Sequence, residues 1–221
     1  MSTNLSTLSH VHLFGGLTET SLERLLPEMR ACTFEAGEVI ALAGDPCQAV
    51  YLIAEGWVRV RQFSSEGREH VLAHLGPGAC LNLAPAMDGG PVVADADALS
   101  PVVVYALPCD RLHALMATDA SLSRAVAETL AAEVRRLSSM ARDLALHTVR
   151  ARLARFLLTH AESTAAPRYW TQDEIAAAIG TVRDVVGRTL RAFAVEGLVR
   201  RERGRLVVAD RRALEREADR G

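Results

Sequence analysis

The chain has 221 residues and a formal net charge of −2, from 25 Lys plus Arg against 27 Asp plus Glu. This length suits one or two domains with a sizeable core. With neither an apolar run long enough to cross a bilayer nor a basic-then-apolar leader, we expect a cytoplasmic protein without a membrane partner.

Taken in order, Thr18 stands as an N-cap before a short helix whose apolar face is Leu22, Leu25 and Leu26. The hydrophobic period then drops to two. Glu38–Ile40, Ala49–Ile53, Trp57–Arg61, His70–Ala73 and Val102–Leu107 read as strands. Gly37, Gly44, Gly56, Gly67, Gly76 and Gly78 punctuate them, as in a compact β-sandwich or barrel. The four cysteines, Cys32, Cys47, Cys80 and Cys109, form no C-x-x-C pair, so reduced thiols are expected.

A helical segment without Gly or Pro follows, from Ser121 to Leu146. Ser123, Leu130, Leu137 and Leu144 recur at heptad spacing, with Ala127, Val134 and Ala141 between them. That is the seam of a coiled coil, and a parallel homodimer accounts for it. The joint near His147 marks a domain boundary, and Thr148 caps a further helix, Val149–His160. Glu162–Pro167 is a short loop.

Two helices with a sharp corner come next. Ile175, Ala176 and Ile179 give the first its apolar face, and Gly180 sits at the turn, where a residue tolerant of φ > 0 is favoured. The apolar period resumes at Val186, Leu190 and Phe193, while Arg183, Asp184, Gly187, Arg188 and Arg191 lie on the other face. Such a face suits the major groove, where arginine pairs with guanine and a carboxylate accepts from cytosine. Arg183 and Arg188 point about 140° apart on the helix, so each would reach a different base step. Gly187 would let the helix lie close to DNA, and Thr181-x-x-Asp184 is a candidate capping box. Leu198–Arg201 and Leu206–Val208 then read as two strands of a wing, with Arg203 and Arg205 at its turn.

Charge agrees with that placement. Met1–His147 carries 10 Arg against 17 acidic residues, whereas Thr148–Gly221 carries 15 Arg against 10, and no lysine occurs anywhere. The positive part is the part with the helix-turn-helix, as DNA binding through counterion release requires.

The stretch Thr171–Leu214 resembles the C-terminal domain of the cyclic-AMP-receptor/FNR superfamily of bacterial transcription regulators. Gly180, Arg183, Val186, Arg188, Leu190, the Glu196-Gly197-Leu198 corner and Asp210-Arg211 carry the likeness. Phe34-x-Ala-Gly-Glu, Gly56-Trp57-Val58 and Gly76-Pro77-Gly78 are similar to the superfamily's jelly-roll sensor domain. In members that bind cyclic nucleotides, a Gly-Glu pair holds the ribose and an Arg-Ser or Arg-Thr pair holds the phosphate. Here the glutamate position is Leu83 and the Arg-Ser pair is Val92-Val93, so the phosphate would meet no guanidinium. The segment is left with Cys80, Leu83, Met87, Val92 and Val93 as lining for a pocket that is either filled or open to an apolar effector.

An FNR-type iron–sulfur cluster needs a cysteine run that is missing before Cys32. No cofactor is expected, although haem stays open through His70 and His74 on one strand face or Cys80. No catalytic constellation stands out, which leaves an enzyme as a remote alternative.

The expected architecture is α+β: an N-terminal jelly-roll sensor over residues 1–120, a dimerisation helix over 121–147, and a winged helix-turn-helix over 148–221. The expected function is a homodimeric regulator on a palindromic operator of double-stranded DNA, answering an unknown small-molecule effector other than a cyclic nucleotide. RNA polymerase is a further expected partner, through the turn Ser64–Glu69. Constitutive DNA binding without effector, or haem or redox sensing, remain alternatives. DNA contact is expected from Thr171, Gln172, Arg183, Asp184, Gly187, Arg188, Arg191, Arg203 and Arg205, and the dimer seam from Leu130, Val134, Leu137, Ala141 and Leu144.

Overall fold

A computed structural model describes Leu13 and residues 17–67, 69–160, 171–202 and 205–220. The chain forms two compact units: Met1–Ser64 with Leu72–Arg135, and Ser65–Val71 with Arg136–Gly221.

In the first unit, helix α1 (Glu19–Leu25) starts where Thr18 Oγ1 accepts from the Ser21 backbone N–H at 3.2 Å, the N-cap the sequence predicts. Eight strands follow, all in this unit except residues 69–71 at the start of the fifth: β1 (Arg30–Phe34), β2 (Val39–Ala41), β3 (Ala49–Glu55), β4 (Val58–Phe63), β5 (Glu69–Leu75), β6 (Cys80–Leu81), β7 (Asp95–Ala98) and β8 (Val102–Pro108). They make two four-stranded sheets ordered β1-β8-β3-β6 and β2-β7-β4-β5, the jelly-roll-like layout expected. Helix α2 (Leu83–Asp88) precedes β7, and α3 (Cys109–Thr118) follows β8.

The central strands β3 and β8 are apolar on both faces because each face has its own core. On one side Val50, Leu52, Tyr105 and Leu107 meet the helices through Leu22, Leu112 and Leu122. On the other, Ile53, Val102 and Val104 meet Val58, Ala96 and Ala98 between the sheets. This is the period-two division of a strand buried on both sides. β7, whose sequence Asp95-Ala-Asp-Ala lacks an obvious strand signal, is held partly by charge. Its buried Asp97 accepts from Arg59 and pairs with Arg61, each at 2.9 Å.

The long helix α4 spans Ala120–Leu146, close to the predicted limits, and the boundary between the units falls inside it after Arg135. Asp119 caps it, with Oδ1 accepting from the N–H groups of Ser121 and Leu122 at 2.9 and 3.2 Å. The second unit holds α5 (Val149–His160), α6 (Gln172–Ile179), α7 (Arg183–Val195), the two-stranded sheet β9 (Val199–Glu202) and β10 (Arg205–Val208), and α8 (Arg211–Ala218). Its core joins all three leading helices through Leu153, Leu157, Ile175, Val186, Leu190 and Phe193. Thr148 Oγ1 accepts from Ala151 N–H at 3.2 Å, so α5 begins as the sequence predicts. The expected loop Glu162–Pro167 lies outside the described residues.

Candidate nucleic-acid interface

Helix α6 is fixed at its start by a reciprocal cap. Thr171 Oγ1 accepts from Glu174 N–H at 3.2 Å, and Glu174 Oε2 accepts from Thr171 N–H at 2.8 Å. Its end is fixed by Gly180, whose φ of +68° closes the helix in the left-handed region. A Cβ there would lie 2.6 Å from Leu144 Cδ2 and push that side chain aside, but it is the backbone angle that demands glycine.

Helix α7 buries Val186, Leu190 and Phe193 and leaves Arg183, Asp184, Arg188 and Arg191 exposed. Four predicted contact residues therefore share the outer face of one helix. Arg183 Nη1 lies 3.4 Å from Asp173 Oδ2 between two largely exposed side chains, a link that solvent screens and DNA can displace. Arg188 and Arg191 form no ion pair among the described residues. Thr171 is exposed and Gln172 half-buried at the head of α6.

Two details of the sequence reading change. The helix-capping box expected at Thr181-x-x-Asp184 does not form: the N-cap is Val182, without a side-chain cap, so Thr181 lies one residue too early. Asp184 instead occupies the first turn, where its charge suits the helix dipole. Gly187 is buried rather than presented outward, and a Cβ there would sit 3.1 Å from Gln172 Oε1. The missing side chain makes room for Gln172, not for a base. In the wing, β9 pairs with β10 from Val199↔Val208 to Glu202↔Arg205. Arg203 lies outside the described residues.

Three arginines of α5 that pattern reading passed over hold this frame together. The Arg150 guanidinium bonds both Glu217 and Glu196 and lies 4.7 Å from the Phe193 ring centroid. Glu217, bonded by Arg150, is held below the usual carboxylate range. Arg152 donates to four carbonyls: Ile179 at 2.8 Å, His147 at 2.9 Å, Gly180 at 3.3 Å and Leu144 at 3.4 Å. It thus supplies donors to the exposed carbonyl ends of α6 and α4 at once. Burial pushes its pKa down from the ordinary value. Arg155 bonds Asp143 at 2.7 Å and the Ala218 carbonyl at 3.0 Å. Most of their partners are 12 to 67 residues away in sequence, so no spacing announces them.

Three of the five residues expected to line an effector pocket meet at one core, while Val93 is exposed. Leu83 is buried in the core shared by β3, β8 and the helices, and Met87 and Cys80 pack against that core. Burial pushes the Cys80 thiol up to about 12. Val92 is buried, with its N–H donating to the Asp45 carbonyl at 2.8 Å, but Val93 is 59 % exposed and turned to solvent. Of the two histidines with an open haem reading, His70 has Nδ1 2.8 Å from the Ala177 carbonyl, both within the second unit. Among the described residues no group of three or more His, Cys, Asp or Glu is placed to hold a metal ion.

Profiles of two known families match this architecture in order, the cyclic nucleotide-binding domain over residues 31–119 and the Crp-like helix-turn-helix domain over residues 151–217. The Cyclic AMP receptor protein of Thermus thermophilus is 31 % identical over 204 residues, covering 92 % of this chain and 94 % of its own. The chain belongs to the CRP/FNR family of transcription regulators. A CRP-like cAMP-activated global transcriptional regulator of Mycobacterium tuberculosis is 26 % identical over 219 residues, covering 96 % of this chain and 98 % of its own. The crystal structure of a CRP-family transcriptional regulator from Thermus thermophilus superposes with a TM-score of 0.70 at 31 % identity, covering 85 % of this chain and 96 % of that one. As a member of the CRP/FNR family, the protein is a DNA-binding regulator and not an enzyme, and no described helix is long and apolar enough to cross a membrane.

Proposed function

We propose that this regulator works as a homodimer on a palindromic operator, with α7 in the major groove, and that its first unit answers an effector other than a cyclic nucleotide. The observation that carries the DNA reading is the sorting of α7: Val186, Leu190 and Phe193 face inward while Arg183, Asp184, Arg188 and Arg191 face out together. Half-site centres then lie about one helical turn, roughly 10–11 bp, apart. Arg188→Ala should cost about 1–3 kcal/mol and relax preference at one base pair per half-site. A binding-site selection on wild type and variant reads this directly. An unchanged selected motif would remove α7 from the groove.

The effector reading rests on charge. Where a cyclic phosphate would need a guanidinium, the chain has Val92 and Val93, and the ribose position is the buried Leu83. Two arginines of the neighbouring sheet, Arg59 and Arg61, are already bound to Asp97. Leaving a phosphodiester unpaired against apolar side chains is strongly unfavourable. Calorimetry with cyclic AMP and cyclic GMP should therefore show no binding at micromolar concentrations, although several relatives are named for cyclic AMP. Micromolar binding of either nucleotide would overturn the reading.

The turn at Ser64–Gly67 exposes Glu66, which supports contact with a basic surface of RNA polymerase. Haem is the less favoured effector, since His70 Nδ1 is already engaged with the Ala177 carbonyl at 2.8 Å.

A further inference from the structure

Cys47 and Cys109 are 62 residues apart in sequence, yet their sulfur atoms lie 3.8 Å apart. The fold fixes this meeting. β3 and β8 pair antiparallel with Ala49 opposite Pro108, and the Cys109 N–H donates to the Gln48 carbonyl at 3.1 Å. Cys47 is one step beyond that paired end. Directly paired antiparallel residues have Cα atoms about 4.5–5.5 Å apart, and one further step of about 3.3 Å along the strand leaves a diagonal near 6 Å. A disulfide spans Cα separations of about 4.4–6.8 Å. The thiols already face each other: the Cys109 Sγ–H reaches the Cys47 carbonyl at 3.5 Å, and Cys47 Sγ lies between the carbonyls of Ala49 and Asn82 at 3.7 and 3.8 Å. Closing the sulfurs from 3.8 Å to a bond of about 2.05 Å needs a movement of about 1.8 Å beside the paired ends of β3 and β8.

We propose that Cys47 and Cys109 form a reversible oxidation site that closes to an intramolecular disulfide when the protein meets a hydroperoxide. The order of events follows from the surroundings. Cys47 Sγ is flanked by the Ala49 and Asn82 carbonyls, and burial with the neighbouring Cys109 pushes its thiol up to about 11, so the first attack is given to Cys109. The Cys109 sulfur attacks the terminal oxygen of the hydroperoxide, the O–O bond breaks, and the alcohol or water leaves with the proton. Cys109 is then a sulfenic acid. The Cys47 sulfur attacks it, the S–O bond breaks, and the thiol proton leaves with the hydroxyl as water. Two thiols have been oxidised, one hydroperoxide has been reduced, and a thiol reductant reverses the bond.

The bond would join the segment before β3 to the first residue of α3, beside Asn82, which enters α2 with φ +65°. That helix carries Leu83 and Met87, so the linkage would stiffen the part of the sensor where family members with cyclic-nucleotide chemistry place their ligand. The proposal stands apart from the dimer and operator readings, since it is tested on the chain without DNA.

The experiment uses the reduced full-length protein, exposed to stoichiometric hydrogen peroxide, quenched with a maleimide and mapped by peptide mass spectrometry. Two of the four thiols should disappear, with one cross-linked peptide joining Cys47 to Cys109 that dithiothreitol resolves. Cys47→Ser should instead trap Cys109 as a sulfenic acid that dimedone labels, and Cys109→Ser should leave Cys47 unreacted. The wild-type map decides even if a serine variant folds poorly. Four retained thiols, a cross-link through Cys32 or Cys80, or sulfinic acid at Cys109 without a cross-link would each overturn the proposal.

Discussion

Two glycines of the DNA-binding unit carry opposite meanings. Gly180 has φ +68°, and a Cβ there would meet Leu144 Cδ2 at 2.6 Å. An L residue in that region costs about 1–2 kcal/mol before any clash is counted. Gly180→Ala should therefore destabilise by at least that amount. Gly187 lies mid-helix with no positive φ, and its missing Cβ faces Gln172 Oε1 at 3.1 Å, the movable end of a long side chain. Alanine is favoured over glycine in a helix interior by about 1 kcal/mol, so Gly187→Ala should be neutral to stabilising once Gln172 shifts. Urea unfolding of both variants checks the pair. If Gly187→Ala proves the more damaging, Gln172 is held more firmly than its exposure suggests. Gly180 was legible from the sequence because a turn between two apolar periods demands it. Gly187 was not, because its neighbour Gln172 belongs to another helix. Arg150 and Arg152 were hidden for the same reason, their acceptors lying on α4, α6, α7 and α8.

At the scale of elements, what the sequence disclosed is what has a strong period. The limits of α4 and α5 follow from apolar spacing and caps and lie within a residue of the observed ones, and the two helices at the corner fall on either side of Gly180 as their apolar periods imply. β1, β6 and β7 were missed, being short or, in β7, built from alanine and aspartate, whose buried Asp97 is met by Arg59 and Arg61 from another strand. The cap of α4 gives the element-scale prediction. The Asp119 carboxylate is held down from 3.8 to about 2, first by the Ser121 hydroxyl and then by Ser21 and the backbone N–H groups of Ser121 and Leu122. A carboxylate whose pKa is lower in the folded state stabilises that state above its unfolded value and loses this as pH falls through the folded one. The ionic share of the cap is thus complete above pH 3.8 and fades as pH falls towards about 2. Asp119→Ala should cost about 1 kcal/mol at neutral pH, whereas Asp119→Asn, an equally good cap, should cost much less. Asp119→Asn should also flatten the acid limb of the stability curve. Thermal melts of the three proteins between neutral pH and the acid transition separate these outcomes, and equal losses for both variants would deny Asp119 its capping role.

For the whole molecule, the question is what covers the apolar stripe of α4. Val134 is 62 % exposed, Leu137 42 % and Leu144 41 %, while Leu130, one heptad earlier, packs partly on the first unit's core. The stripe continues the heptad spacing past the point where the chain's own core ends, which favours a second copy of the same helix as its cover. The +5 balance after Thr148 adds a reason: each copy supplies one basic unit, and two linked units bind two half-sites far more tightly than either alone. Leu144 is a poor probe, because it also packs over Gly180. Leu137 is the clean one, since it is exposed and lies outside all three buried cores. Leu137→Arg should leave each chain folded, because a solvent-facing arginine in a helix costs little. In a paired seam, however, two arginines would be brought together away from water without acidic partners, which is costly enough to prevent assembly. The variant should sediment as a monomer with an unaltered circular dichroism spectrum. Its affinity for a full operator should fall by roughly 100-fold or more, while its affinity for an isolated half-site should match that of the wild type. A Leu137→Arg protein that remains a dimer and binds the operator as before would place the subunit contact elsewhere than along α4.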